Sequence, residues 1–96
     1  MNLNALQVNL ACRKLTLAEM EIYVKSKCIN IVLVQETTLF KAKKHPKIFG
    51  YEFIGNKFVS CYIKNGIIYN VKHICNEYII LELTSFTIVN VYLSGP

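Results

Sequence analysis

At 96 residues the chain has room for one small domain, able to hide roughly 60–70% of its unfolded surface. An apolar fraction of 53% and a mean hydropathy of +0.33 are high for so short a chain, so the core is dense or an apolar face expects a partner. The net charge of +5 favours an anionic partner, nucleic acid or an acidic surface, and no apolar run approaches the length needed to cross a bilayer.

Residues Leu6 to Leu10 alternate apolar and polar, the period-2 pattern of a strand with one buried face. Arg13 and Lys14 form a basic connection. Thr16-Leu17-Ala18-Glu19 matches a capping box, in which the threonine hydroxyl and Glu19 satisfy each other's end of a first helical turn. Leu17, Met20, Val24 and Cys28 then recur at helical spacing, predicting a helix of about three turns that stops near Lys27, with Asn30 in the following turn. Ile31-Val32-Leu33-Val34 reads as a strand buried on both faces. Directly after it comes Gln35-Glu36-Thr37. A carboxylate at the carboxyl end of a buried strand must reach water, a cation or a partner, and in open α/β sheets that edge is where ligands sit. Strand, helix and strand make a βαβ unit, which brings Asn9 and Glu36 to one edge of a parallel sheet.

Lys41, Lys43, Lys44, His45 and Lys47 make the next stretch a basic loop, closed by Pro46 and Gly50. Short strands rich in Val, Ile, Tyr and Phe follow at Tyr51–Ile54, Phe58–Ile63, Ile67–Val71, Tyr78–Leu83 and Thr87–Leu93. Asn65-Gly66 carries the signal of a type I′ hairpin, and this half reads as an antiparallel meander. Ser94-Gly95-Pro96 resembles a loop cut short. Cys12, Cys28, Cys61 and Cys75 form no CxxC pair, which disfavours zinc and a disulfide framework. They read as reduced, buried small hydrophobes. With no signal-peptide pattern at the start, the expected setting is intracellular.

On pattern alone Glu36 stands between a solvated strand end and a metal ligand. Asn9 stands between a loop hydrogen bond and a site residue. Tyr92 is one of six tyrosines, by default a strand residue with its hydroxyl at the rim. The lysine cluster is a solvated loop or a grip on phosphates. His45 and His73 read as surface or strand residues.

Taken together, Gln7-Val8-Asn9-Leu10, a helix, Val32-Leu33-Val34-Gln35-Glu36-Thr37 and Ile88-Val89-Asn90-Val91-Tyr92 resemble the opening half of the endonuclease/exonuclease/phosphatase superfamily. The nearest resemblance is to the apurinic-endonuclease-like domain with which non-LTR retrotransposons nick target DNA. It runs from about Leu6 to Pro96. It implies an α/β fold, the first half of a two-sheet sandwich in which a βαβ unit is followed by antiparallel strands. Residues 1–96 would then be a single partial domain, truncated at the C-terminus. The resemblance also implies Glu36 as a magnesium ligand, Asn9 beside it, and Tyr92 with its hydroxyl near the scissile phosphate. Arg13, Lys41, Lys43, Lys44 and Lys47 become candidate DNA contacts, and the setting becomes nuclear.

Two departures qualify that reading. Ala11 stands where the family often has Asp or Asn, and the later Gly-Asp-x-Asn and Ser-Asp-His segments are missing. All six acidic residues are Glu. Without the water-activating base, the expectation is a fragment that is inactive alone. The alternative is a basic nucleic-acid-binding or protein-interaction module without turnover. An uncovered apolar sheet face and at least one strand edge would favour self-association or aggregation.

Overall fold

The computed structural model describes residues 3–10, 14–36 and 47–93. Arg13, Lys41, Lys43, Lys44, His45, Cys12 and Ser94-Gly95-Pro96 lie outside them. Strand β1 (Ala5–Asn9) leads to helix α1 (Lys14–Ser26), which returns the chain to β2 (Ile31–Gln35). β1 and β2 pair in parallel, with Ala5 opposite Ile31 and Asn9 opposite Gln35. The βαβ expectation therefore holds, and so does the shared edge that it requires.

The helix departs from its predicted limits at its start. It begins at Lys14, two residues before Thr16, because Lys14 and Leu15 are good helix formers. An N-cap needs non-helical backbone, so Thr16 lies inside the first turn and the capping box is not used. At the other end Cys28 adopts φ +52°. Lys27 N–H donates to Tyr23 O at 2.9 Å, and Ile29 N–H reaches back to Val24 O at 3.1 Å. That six-to-one bond past a left-handed residue is a Schellman stop, with Ile29 and Val24 in apolar contact as the motif prefers. Cys28 is thus an exposed cap, not the last residue of the apolar stripe. Cys75 is half-buried, and of the described cysteines only Cys61 is buried.

The second half does not form one meander. β3 (Tyr51–Gly55) and β4 (Val59–Lys64) make a hairpin that joins the first sheet, giving the order β1-β2-β4-β3. β5 (Tyr69–Ile74), β6 (Tyr78–Leu83) and β7 (Thr87–Val91) form a separate antiparallel sheet in that order. Asn65-Gly66 consequently links two sheets and is no hairpin turn. Only Gly66 has positive φ there (+99°), and Ile67 N–H bonds Lys64 O at 3.3 Å. Those are the marks of a type II turn; type I′ would need both central residues left-handed.

Period-2 alternation builds two cores on the faces of the first sheet. Val32, Val34 and Tyr62 pack with Met20 and Val24 of the helix. On the other face Ile31, Val59, Cys61 and Ile63 meet Ile79 and Leu81 of the second sheet. β2 and β4 are covered on both faces, which explains the unbroken apolar run of β2. The second sheet lies over β2 and β4. It leaves the matching face of β1, carrying Ala5, Gln7 and Asn9, exposed. The uncovered face beside the sandwich is therefore largely polar, while the exposed apolar residues Val89, Val91 and Leu93 lie along β7 and just beyond it.

Candidate active site

At the carboxyl end of β2 the chain does something a strand does not. Glu36 takes φ +55°, a left-handed conformation that costs a residue with a Cβ roughly 1–2 kcal/mol. Its N–H is held by Phe58 O at 2.9 Å. Sparsely populated backbone of this kind persists where the surroundings over-determine it, often at functional sites. Tyr92 follows β7 and has its N–H on Glu77 O at 2.7 Å. Its hydroxyl donates to Glu36 Oε1 at 3.0 Å, across 56 residues of sequence. On the other side of β2, Asn9 occupies the register position opposite Gln35. An acid and a phenol thus meet at one rim of the sandwich, and an amide-bearing residue ends the neighbouring strand at the same edge.

Around that rim the turn between β3 and β4 is tightly organised. Asn56 Oδ1 accepts from Phe58 N–H at 2.9 Å and Val59 N–H at 3.1 Å, while its Nδ2 donates to Cys75 O at 3.1 Å. One side chain therefore ties the turn of the first sheet to that of the second. Phe58 stacks on Tyr92 with ring centroids 6.3 Å apart and planes at 15°. Lys57 Nζ lies 5.0 Å from the Phe58 centroid, within cation–π range. A cleft of about 150 Å³ opens here, lined by Phe58, Asn76, Glu77 and Tyr92.

Beneath the rim lies a buried amide pair. Gln35 Nε2 donates to Asn90 Oδ1 at 2.5 Å. Asn90 Nδ2 donates in turn to Ser60 O at 2.7 Å and Val34 O at 3.3 Å, with Cys61 Sγ at 3.8 Å. Val34 and Ser60 are register partners, so the Asn90 amide spans the seam between β2 and β4. Burial raises the Cys61 thiol pKa to about 11, the Asn90 hydrogen bond opposing that rise.

The structure therefore brings Glu36, Tyr92 and Asn9 together at one edge. Lys47 is elsewhere: it lines a hollow on the helix-covered face with Glu21, Phe49 and Tyr62. His73 stacks on Tyr78 (4.9 Å, 18°), on the face of the second sheet turned away from Glu36. Among the described residues no three His, Cys, Asp or Glu side chains cluster as a ready metal cage. Sequence reasoning missed Lys57, Phe58 and the Gln35–Asn90 pair. Nothing local in the sequence shows that Phe58 stacks on a tyrosine 34 positions away, or that Lys57 lies over that Phe58 ring. The two amides sat inside quoted motifs, and their signal was a polar residue at an inward position of an alternating strand.

Comparison with solved structures returns the same architecture. The chain is similar to the endonuclease domain of TRAS1, a telomere-specific non-LTR retrotransposon, with a TM-score of 0.75 and 18% identity. The match covers 96% of this chain and 46% of that one, so the chain spans about half the length of the domain it resembles. No protein-family model matches the chain, and no curated protein does. The shared element is the fold: among the described residues, a mixed α/β sandwich of four and three strands with one helix.

Proposed function

We propose that this chain supplies one wall of a magnesium-dependent DNA endonuclease site and does not cleave DNA alone. The observation that carries this reading is the Tyr92 hydroxyl on Glu36 Oε1 at 3.0 Å, at the strand edge that Asn9 shares. The donor set is a carboxylate, an amide oxygen and a hydroxyl. It fits magnesium, which prefers oxygen ligands, retains waters, and is often held by one or two carboxylates plus a substrate phosphate. Glu36 would hold the ion, with Asn9 beside it and Tyr92 close to the phosphate. When bound, the ion supplies polarisation of the phosphoryl oxygen and stabilisation of the leaving oxygen. Tyr92 fixes the Glu36 carboxylate with its one O–H, which would donate to a phosphate oxygen only by turning away from Glu36.

In this reading the base that activates water is not among Glu36, Asn9 and Tyr92. The chain has no Asp, and His73 faces away from the rim. General-base catalysis requires a group within hydrogen-bond reach of the attacking water, and no Asp or His of the described residues stands at the rim. The further carboxylate lining its cleft is Glu77, whose backbone carbonyl holds Tyr92 N–H, so this reading takes the base from outside the described residues. A role in nicking chromosomal DNA would place the protein in the nucleus. The test is a pair of measurements on the purified chain. Mn²⁺, used as a spin probe for magnesium, should bind to wild type and not to Glu36→Gln. Supercoiled plasmid with magnesium should remain uncut. Absence of the Glu36-dependent ion refutes the metal role, and nicking abolished by Glu36→Ala refutes the incompleteness.

A second reading is a binding module without turnover, favoured by the net charge of +5 and by Lys57 at the aromatic rim. It expects salt-sensitive DNA binding that survives Glu36→Ala and weakens when Lys43, Lys44 and Lys47 are neutralised. For self-association, the supporting feature is β7. From Thr87 to Leu93 it carries no charge, and among the described residues it pairs only with β6. By contrast the β5 edge is interrupted by a bulge and carries Lys72. Bulges and lysines guard edges against pairing, so a second copy would add at β7. Sedimentation should show dimers that Val89→Lys abolishes.

A further inference from the structure

We infer that the buried Gln35–Asn90 amide pair is a positioning device for the site, setting where the Tyr92 hydroxyl and the Glu36 carboxylate meet. This rests on the metal-site reading above and deepens it. Gln35 immediately precedes Glu36 on β2, and Asn90 stands two residues before Tyr92 on β7. Apart from the Tyr92–Glu36 bond itself and the Asn56 Nδ2 bond to Cys75 O between the turns, the two sheets are joined at this end by apolar contact, which is non-directional. Ile88, Asn90 and Tyr92 all point inward from β7, and a sheet of apolar residues alone would accept them at neighbouring offsets.

The amides remove that freedom. Asn90 Oδ1 receives the Gln35 amide at 2.5 Å, and its Nδ2 contacts both carbonyls of the Val34–Ser60 pair, at 3.3 and 2.7 Å. All of these groups are buried, and no buried side-chain polar atom among the described residues lacks a partner. Sliding β7 by two residues would leave the Gln35 amide and the Asn90 amide unpaired together. Slipping it by one would turn Asn90 to the outer face. Unpaired buried amides are costly, so one offset is selected. That offset is the one in which the Tyr92 hydroxyl lies 3.0 Å from Glu36 Oε1. Gln35 and Asn90 touch neither ion nor substrate in this scheme; they act through the residues that do.

The experiment removes both amides at once, since replacing both partners by apolar groups of similar shape leaves no orphan and is nearly neutral for stability. Gln35→Met with Asn90→Leu is compared with wild type, each with and without Glu36→Gln. The first readout needs no metal: the ¹³Cζ resonance of Tyr92, assigned by Tyr92→Phe. Glu36→Gln should move that resonance in the wild-type background and leave it in place when the amides are gone. A merely structural role would change the melting temperature without uncoupling the two side chains. The second readout is Mn²⁺ affinity, expected to be about 10-fold weaker without the amides, the low end for groups that orient a metal ligand.

An equal Tyr92 shift in both backgrounds overturns the inference. If the double variant does not fold, Asn90→Leu alone decides, because it removes the bonds from β7 to Gln35, Val34 and Ser60 together. Persistence of full coupling there overturns it as well. If wild type binds no Mn²⁺, the metal reading fails, while the Tyr92 measurement still judges the positioning role.

Discussion

Gly55→Ala provides a severe test of the β3–β4 hairpin beneath the site. Gly55 ends β3 with φ +133°, a region of backbone space essentially reserved for glycine. A Cβ there would lie 2.5 Å from both Ser60 Cα and Val59 O, and 2.8 Å from Ser60 Cβ. Those are mostly backbone atoms of the paired strand, so no side chain can swing aside. Gly66, at φ +99°, has nothing within 4 Å of its Cβ position and serves as the control. Both substitutions stiffen the unfolded chain to the same extent, so that effect cancels in the comparison. The left-handed backbone costs Gly66→Ala about 1 kcal/mol. Gly55→Ala adds a forced backbone displacement, typically about 1–3 kcal/mol, and totals about 3 kcal/mol. With a urea slope of about 1 kcal/mol per molar for a domain of this size, the midpoints should fall by about 1 M and about 3 M. Stability of order 5–14 kcal/mol for 96 residues leaves both variants measurable. Equal midpoint shifts would refute the close approach of β3 to β4 at Ser60. They would also remove the support beneath the carbonyl that Asn90 uses.

Cys28→Gly should raise the melting temperature by several degrees, since a left-handed helix stop favours glycine by about 1 kcal/mol; a fall would show that Cys28 is not left-handed. Glu36→Gly should likewise stabilise by about 1 kcal/mol relative to Glu36→Gln, read by urea unfolding, and both should lose the divalent ion. The Cys61 thiol gives a pH signature. Its native pKa is raised from 9.0 to about 11, so its contribution to stability is intact below pH 9 and is lost as the pH climbs through 11. Two units correspond to at most about 3 kcal/mol. Wild type should therefore lose more stability than Cys61→Ala across that window, and parallel curves would contradict the burial. At neutral pH iodoacetamide should label Cys28 rapidly and Cys61 only on unfolding.

What the sequence disclosed was whatever depends on near neighbours. The alternation of Leu6 to Leu10, the apolar run from Ile31 and the strand Tyr78–Leu83 were legible because burial imposes period 2 or its absence directly on the chain. The sites of turns were legible too, but not their consequences. Asn65-Gly66 announces a reversal without saying whether the next strand returns to the same sheet, and here β5 leaves it. The helix start was misplaced because Thr16 and Glu19 satisfy a local pattern that Lys14 and Leu15, equally local, override. Cys28 fell on the extrapolated stripe although the helix had ended before it. These are competitions among short-range preferences of similar size, and packing decides them.

The site divides along the same line. Asn9 and Glu36 could be placed together because a parallel βαβ unit fixes which ends of two strands coincide. Tyr92 could not be placed by periodicity, since its position depends on the offset between two sheets that share no hydrogen-bonded strand pair. That offset is written in side-chain chemistry, a glutamine and an asparagine at inward-facing positions of apolar strands. Buried polar groups survive in such places when each has a partner. Two of them, 55 residues apart and each within two positions of a chemically suggestive residue, constrain one another. A lone inward amide shows only that some partner exists. A pair identifies it, and the geometry of Glu36 and Tyr92 follows from that identification.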